Sequence, residues 1–431
     1  MSRPATGANR LLKLAGMTAS VAGRYAGSKI KSIVQSADAA ALGRAAAHAK
    51  NGEAIARTLG ELKGAAMKVG QMASIASDIL PKELSSALAT LQRDAPPMPF
   101  EVIAGQIEVE LGGSPDALFE RFDREPFAAA SIGQVHRARV DGREVVVKVQ
   151  YPGVDASADS DLAHLKVALR ASGLVKVPKE ALDALFVELR DRLIEELDYA
   201  READNARAFR AFHAERHPFV VIPEVIGERS TRRVLTMAYE PGDTLGTIRP
   251  EGYSQALRNR VGEHLTRAFF AELFELQAIH ADPNPANFAA RLDGTLVVYD
   301  FGCVKRIPDE VMNPWRDTVR AAMVEDYDAV DRGLLALGVR RPGGPQVEAS
   351  FYKAWRDVFA PPVLEESYDF ARSPIAEQVM KLVPRAVERM GSFQPAAAIA
   401  YIDRAIAGHF GNLRNLGARG SFGPIVRAYL V

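Results

Sequence analysis

The chain has 431 residues, enough for two or three packed units at about 100–200 residues each. Hydrophobic residues make up 48% and charged residues 25%, which supports a sizeable core and excludes bulk disorder. Lysine plus arginine equals aspartate plus glutamate at 54 each, so the global positive field of a nucleic-acid binder is missing; the single Cys303 excludes an internal disulfide framework and fits a reducing compartment.

The first acidic residue is Asp38, and before it stand Arg3, Arg10, Lys13, Arg24, Lys29 and Lys31 among Leu11, Leu12, Leu14, Val21 and Ile30. Three readings are open: a helix on an anionic membrane surface, an organelle transit peptide, or a solvated basic helix packed on the rest of the chain. No apolar run approaches the 18 or so residues of a membrane span; Phe219–Ile226 and Ala396–Ile402 are far too short. Ile55, Leu59, Leu62, Ala66, Val69 and Ala73 recur at helical spacing, Pro81 starts a further helix, and the prolines of Asp94–Pro99 end it. Phe100–Leu111 reads as a helix stopped by Gly112–Gly113. Next comes a β-hairpin, with Asp141–Gly142 as its turn and Val145, Val147 and Val149 alternating with Val146, Lys148 and Gln150. Leu182, Leu185, Phe186, Leu189, Leu193 and Leu197 predict one long helix running to about Ala214. VVIPEVI and RRVLTMAYE follow as strands, Pro241–Gly242–Asp243 as a turn, then helices with one short hairpin before YDFG; from Val311 on the chain is mostly helical.

These elements predict an α+β fold, a small strand-rich lobe followed by a larger helical one, in the order of a protein kinase. The expected divisions are a basic N-terminus and helical extension over 1–95, an N-lobe over 96–245 and a helical C-lobe over 246–431.

The chemistry concentrates in His280-Ala-Asp282-Pro-Asn-Pro-Ala-Asn287 and Asp300-Phe301-Gly302. Phosphoryl transfer needs metal ions on the phosphates and a carboxylate that orients the attacking group, and Mg²⁺ prefers a few hard oxygen ligands. An aspartate, an asparagine five residues on, and a second aspartate ending the TLVVY strand supply these in kinase order and spacing. Lys148 stands where a kinase strand lysine contacts the α- and β-phosphates. Glu195, Glu196, Asp198 and Glu202 all qualify as its carboxylate partner; on an unbroken helix Asp198 and Glu202 share a face, whereas Glu196 and Asp198 diverge by about 200°. The expected phosphate-covering loop, Phe127 to Gln134, has one glycine, Gly133; Ala128, Ala129, Ala130 and Ser131 stand where a Gly-rich loop is expected, so it meets phosphate with less backbone freedom.

GAAMKVGQMASI, the alanine-rich loop with VVVKVQYPGV, EELDYAREA, HADPNPANF and YDFG, spread over about Ala65 to Gly302, together resemble the UbiB/AarF family of atypical kinases, which includes the mitochondrial coenzyme Q kinases. The resemblance implies that Asp282 is the catalytic-loop aspartate, that Asn287 and Asp300 hold Mg²⁺, and that Lys148 contacts ATP and pairs with Glu202. It implies that Ala128–Ala130 replace the Gly-rich loop. Lys68 and Gln71 would end a KxGQ motif on a helix covering the usual protein-substrate side, and Glu196 and Asp198 would form an ExD motif with Glu196 facing Lys68. The i, i+3 spacing of Lys68 and Gln71, with Gly64, Ala65, Ala66 and Gly70 nearby, suits a helix packed closely on another element.

The expected activity is that of an Mg-ATP-dependent kinase or ATPase supporting ubiquinone synthesis, acting on water or on a small or lipid-like acceptor. The rival reading is a nucleotide-sensing pseudokinase scaffold that organises partner enzymes. A conventional protein kinase is disfavoured, because the KVGQ segment precedes the lobes and no A-P-E follows Gly302. Bacterial UbiB carries hydrophobic C-terminal spans that are not read here, so any membrane attachment is expected to be peripheral. The expected location is cytoplasmic, at the inner membrane, or the mitochondrial matrix in a eukaryote.

Overall fold

A computed structural model of the chain describes residues 97–430, apart from 131, 156–158, 160–161, 164–165, 168–169 and 171–178. The basic N-terminus, the 1–95 extension with Lys68 and Gln71, and Ser131 lie outside the described residues. The chain divides into two compact units, Met1–Arg201 with Val225–Ala238, and Glu202–Glu224 with Tyr239–Val431.

In the first unit, helix α1 (Phe100–Leu111) ends as its sequence dictates, with Gly112 in the left-handed region at φ +77° and its N–H returned to Glu108 O. Ile103 and Ile107, one turn apart, are fully buried, and the helix packs against strand β4 (Arg143–Gln150). The antiparallel sheet runs β1 (Arg121–Phe122), β3 (Gly133–Val140), β4 (Arg143–Gln150), β6 (Val234–Ala238), with β2 (Ala128–Ala130) also on β3. The β3–β4 turn is Asp141–Gly142, both at positive φ (50° and 70°), the two-residue turn whose twist matches the strands. Val145, Val147 and Val149 are buried at 0–1% exposure, as the alternation predicts.

The alanine segment is not a loop but a strand: Ala128, Ala129 and Ala130 pair with Val135, Gln134 and Gly133. Alanine has weak strand propensity, and cross-strand pairing with β3 decides the matter. The leucine-rich segment is likewise not one helix but two, α2 (Lys179–Glu196) and α3 (Tyr199–Arg216). Asp198 caps the second, its Oδ1 accepting from Arg201 N at 3.1 Å, while Tyr199 N donates to Arg232 O at 2.9 Å. The shared face expected of Asp198 and Glu202 therefore does not exist; Asp198 is a cap residue beside Arg232 (3.8 Å). VVIPEVI forms only a two-residue strand, β5 (Val220–Val221), and a single bridge from Val225 to Met237.

The second unit holds a four-stranded sheet in the order β5, β10 (Leu296–Val298), β9 (Phe288–Ala290), β7 (Asp243–Thr244), and a two-stranded ladder of β8 (Ala278–His280) with β11 (Val304–Arg306). Helix α4 (Gln255–Ala271) is capped by the Ser254 hydroxyl and runs on into a π turn, Glu272–Leu276. Gln277 at φ +50° stops it and turns the chain into β8. Helices α5 (Asp309–Met323), α6 (Tyr327–Ala336), α7 (Ala349–Phe359), α8 (Ile375–Glu388) and α9 (Ala397–Leu416) complete the unit. Phe270, Leu273, Ile279, Met312 and Ile402 share its main core. Among the described residues no helix is long and apolar enough to cross a membrane.

Helix α9 is locked to α4 by polar as well as apolar contacts. His409 is buried, its ring stacked on Phe269 at 4.8 Å, and its Nε2 lies 3.2 Å from Thr266 Oγ1, whose own hydrogen goes to Gly262 O. The hydroxyl oxygen therefore accepts from His409 Nε2, and burial pushes the imidazole down to about 3. The unfolded chain takes up this proton near pH 6.5, the folded one does not, so stability falls as pH drops through that value. Between about pH 7.5 and 5.5 this histidine alone removes about 1.4 kcal/mol, a loss that His409→Phe abolishes when urea midpoints are compared across the range.

Candidate active site

In the second unit the segment from His280 to Asn287 leaves β8 and is held at each step. Ala281 N donates to Cys303 O at 2.8 Å, which ties the segment's start to the chain after Gly302. Asn284 Oδ1 accepts from Ala286 N at 3.0 Å and opens a short 3₁₀ turn over Pro285–Asn287. The turn brings Asn287 back onto Asp282: its Nδ2 donates to Asp282 Oδ2 at 3.0 Å and to the Asp282 carbonyl at 3.2 Å. With the amide nitrogen so engaged, Asn287 Oδ1 is the atom left to meet a cation. Both side chains are half-buried.

Asp300 follows β10. Its Oδ1 accepts from Gly302 N at 3.0 Å, and its carbonyl accepts from His280 Nε2, which sets the histidine tautomer and ties this aspartate to the Asp282 segment. Phe301 is buried, with ring centroids 5.1 Å from Phe209 and 5.9 Å from His280, and its carbonyl accepts from Asn205 Nδ2 at 3.0 Å. Asn205 and Phe209 lie three and seven residues beyond Glu202, so all three share one face of α3. Glu202 is itself buried at 2% exposure, on the helix face that meets the Asp300 segment.

The first unit places Lys148 on β4 between Val135 of β3 and Leu235 of β6, in the middle of the sheet. Its Nζ lies 4.9 Å from the ring centroid of the buried Tyr199. Gly133, where β3 follows the alanine strand, runs against β4 so closely that a Cβ there would sit 2.2 Å from Val149 O. The structure thus brings together Asp282, Asn287, His280 and Asp300 within the second unit, and fixes Lys148 in the first.

Asn205 and Phe209 are missing from the sequence reading, and His280 is named there only as the start of the motif, without the tie it makes to Asp300. The i, i+3, i+7 spacing of Glu202, Asn205 and Phe209 was a readable signal; the tie from His280 to the Asp300 carbonyl depends on the β8–β11 ladder, which joins residues far apart in sequence.

The sequence from residue 90 to 333 matches the model of the ABC1 atypical kinase-like domain, more than half of the chain. The chain belongs to this family. Its relatives include rat "Atypical kinase COQ8B, mitochondrial", 33% identical over 374 residues that make up 84% of this chain and 68% of the rat protein. "Atypical kinase COQ8, mitochondrial" of Schizosaccharomyces pombe is 32% identical over 381 residues, 86% of this chain and 61% of that one. "Protein ACTIVITY OF BC1 COMPLEX KINASE 8, chloroplastic" of Arabidopsis thaliana is 36% identical over 286 residues, 64% of this chain but 37% of the plant protein. The chain spans only 53% of the Dictyostelium discoideum relative named "Probable serine/threonine-protein kinase abkA". Among solved structures, the Rv3197–erythromycin complex from Mycobacterium tuberculosis has 30% identity and a TM-score of 0.63, covering 85% of this chain and 92% of that one. The α+β, kinase-like fold and the family resemblance expected from the motifs are both met in this ABC1 chain.

Proposed function

We propose that this ABC1-family chain binds Mg-ATP and transfers or hydrolyses its γ-phosphate in support of ubiquinone synthesis. The observation that carries the proposal is the paired Asp282–Asn287 turn joined through His280 to Asp300. The donor set suits Mg²⁺: a carboxylate and an amide oxygen are hard ligands, and two protein ligands suffice for an ion that keeps waters and phosphate oxygens. Asn287 and Asp300 would hold the ion, which when bound neutralises charge on the phosphates. Asp282, held by Asn287, orients the acceptor hydroxyl or water, and Lys148 contacts the α- and β-phosphates with Glu202 as its carboxylate partner.

The quinone assignment follows the COQ8 relatives, which are named as mitochondrial, and the location assigned with it is the mitochondrial matrix in a eukaryote or the cytoplasm, peripheral on the inner membrane, in a bacterium. Lys68 and Gln71, with Glu196 and Asp198, are assigned a regulatory part.

The decisive test follows the γ-phosphate of labelled ATP in purified protein, with and without membrane lipid. Mg-dependent release as inorganic phosphate, or transfer to an extractable lipid, supports the proposal. Nucleotide binding without turnover under either condition replaces it with the scaffold reading. The alanine strand is the observation on that side, since its paired backbone has less freedom than a glycine loop.

A further inference from the structure

Helix α9 lies outside the 90–333 segment that defines the family match, yet it touches the segment carrying Asp282. Two of its residues, one turn apart and on one face, make the contact. Asn412, 4% exposed, donates from Nδ2 to the Pro283 carbonyl at 3.0 Å. Gly408 sits against the Pro283 ring so closely that a Cβ there would lie 2.0 Å from Pro283 Cγ and 2.3 Å from its Cβ. Further toward the N-terminus of α9, Lys305 of β11 places its ammonium 4.8 Å from the Tyr401 ring centroid, so the same helix also meets the strand that follows Asp300.

The helix has little freedom to move away. Its C-terminal carbonyls at Leu416 and Gly417 accept from the buried Arg258 of α4 at 2.7 and 3.3 Å, and Gln255 Nε2 donates to Gly417 O at 2.9 Å. His409 holds it to Thr266 and Phe269 on the same helix, α4. A brace anchored at several points and meeting Pro283 fixes the peptide immediately after Asp282. Removing a buried donor such as the Asn412 amide also costs free energy at the carbonyl it leaves unbonded.

We propose that α9 is the positioning element of the Asp282 segment, with Asn412 and Gly408 as positioning residues that set the aim of the Asp282 carboxylate. Neither touches nucleotide; both act through Pro283. The proposal rests on the phosphoryl-transfer reading for its effect on rate, and on geometry alone for its effect on the segment. A displacement of about 1 Å at a reacting group is enough to lower a rate about a hundredfold.

The experiment uses the full chain carrying Asn412→Leu, which keeps the branched shape and loses the donor. Asn412→Ser, too short to reach the Pro283 carbonyl, serves as a milder second variant. Three quantities are read: Mg-ATP turnover, nucleotide Kd, and hydrogen exchange of the amides of Ala281, Asp282, Asn284, Ala286 and Asn287. Turnover is expected to fall at least tenfold with Kd within twofold, and Asn287 and Ala281 amides to exchange at least tenfold faster. A structural role alone would lower the melting temperature without separating turnover from Kd. Unchanged exchange in both folded variants overturns the brace whether or not the protein turns ATP over. Faster exchange in a protein whose parent shows no turnover supports the brace and rejects the phosphoryl-transfer reading instead.

Discussion

Asp300→Asn is expected to lower Mg-dependent ATP turnover by about a hundred- to a thousandfold, the usual size of losing one preorganised electrostatic contact to a phosphoryl-transfer transition state. The substitution keeps shape. Asp300 Oδ1 accepts from Gly302 N, and an asparagine oxygen makes the same bond, while the carbonyl that receives His280 Nε2 is backbone and unaffected. Phe301 remains buried against Phe209 and His280. What disappears is the negative charge. The melting temperature without nucleotide should therefore be close to that of the parent, and steady-state hydrolysis at saturating Mg²⁺ should separate the two proteins. Equal rates would remove Asp300 from the mechanism. Asp282→Asn is the useful companion, because it alters the carboxylate held by Asn287, which the proposal assigns to the acceptor and not to the metal, and its loss should be independent of Mg²⁺ concentration.

The second large effect is structural. Gly133→Val forces atoms into the place of the Val149 carbonyl, 2.2 Å from where a Cβ would stand, and that neighbour is backbone held in the β3–β4 ladder. Neither strand can give way without breaking the pairing that carries Lys148, so the substitution is expected to cost about 3 kcal/mol, at the upper end of overpacking costs. Gly105→Ala is the internal control. Gly105 lies within α1, and an added Cβ there meets nothing within 4 Å. It should stabilise by about 0.5–1 kcal/mol, the helix penalty of glycine against alanine. Denaturant midpoints of the two variants should thus move in opposite directions. A neutral Gly133→Val would mean that the β3–β4 crossing is looser than the carbonyl contact requires.

Local chemistry made much of the fold legible. Asp141–Gly142 between alternating valines specifies a hairpin register, and Gly112 after an apolar helix specifies its end, because turn and cap geometry are set by the residues themselves. The break between α2 and α3 is harder to see: the leucine stripe continues through Leu193 to Leu197, both buried, on either reading. The helix yields there because Tyr199 N bonds Arg232 O, a partner distant in sequence, although Asp198 as a cap was available to inspection. The alanine strand is a local case, its partner β3 starting three residues on at Gly133, and it is hidden because alanine carries little strand preference of its own. Asp282, Asn287 and Asp300 stand out in the sequence because the kinase pattern prescribes residue types and spacing, and the structure brings the three together through Asn287 and His280. Asn412 and Gly408 were not, since an asparagine and a glycine in a helix carry no chemical signature until Pro283 is seen against them.

Titration of ATP into the 431-residue chain, with Mg²⁺ and then with excess chelator, is the most direct measurement. It is made in parallel on the parent chain, Lys148→Met and Asp300→Asn. The account predicts Mg-dependent binding by the parent and at least tenfold weaker binding by each variant, with Mg²⁺ no longer mattering in Asp300→Asn. At about 100 times Kd the nucleotide should add about 2.7 kcal/mol of stability to the parent, which a thermal shift reads independently. Affinity that is equal in all three proteins and indifferent to Mg²⁺ would contradict it.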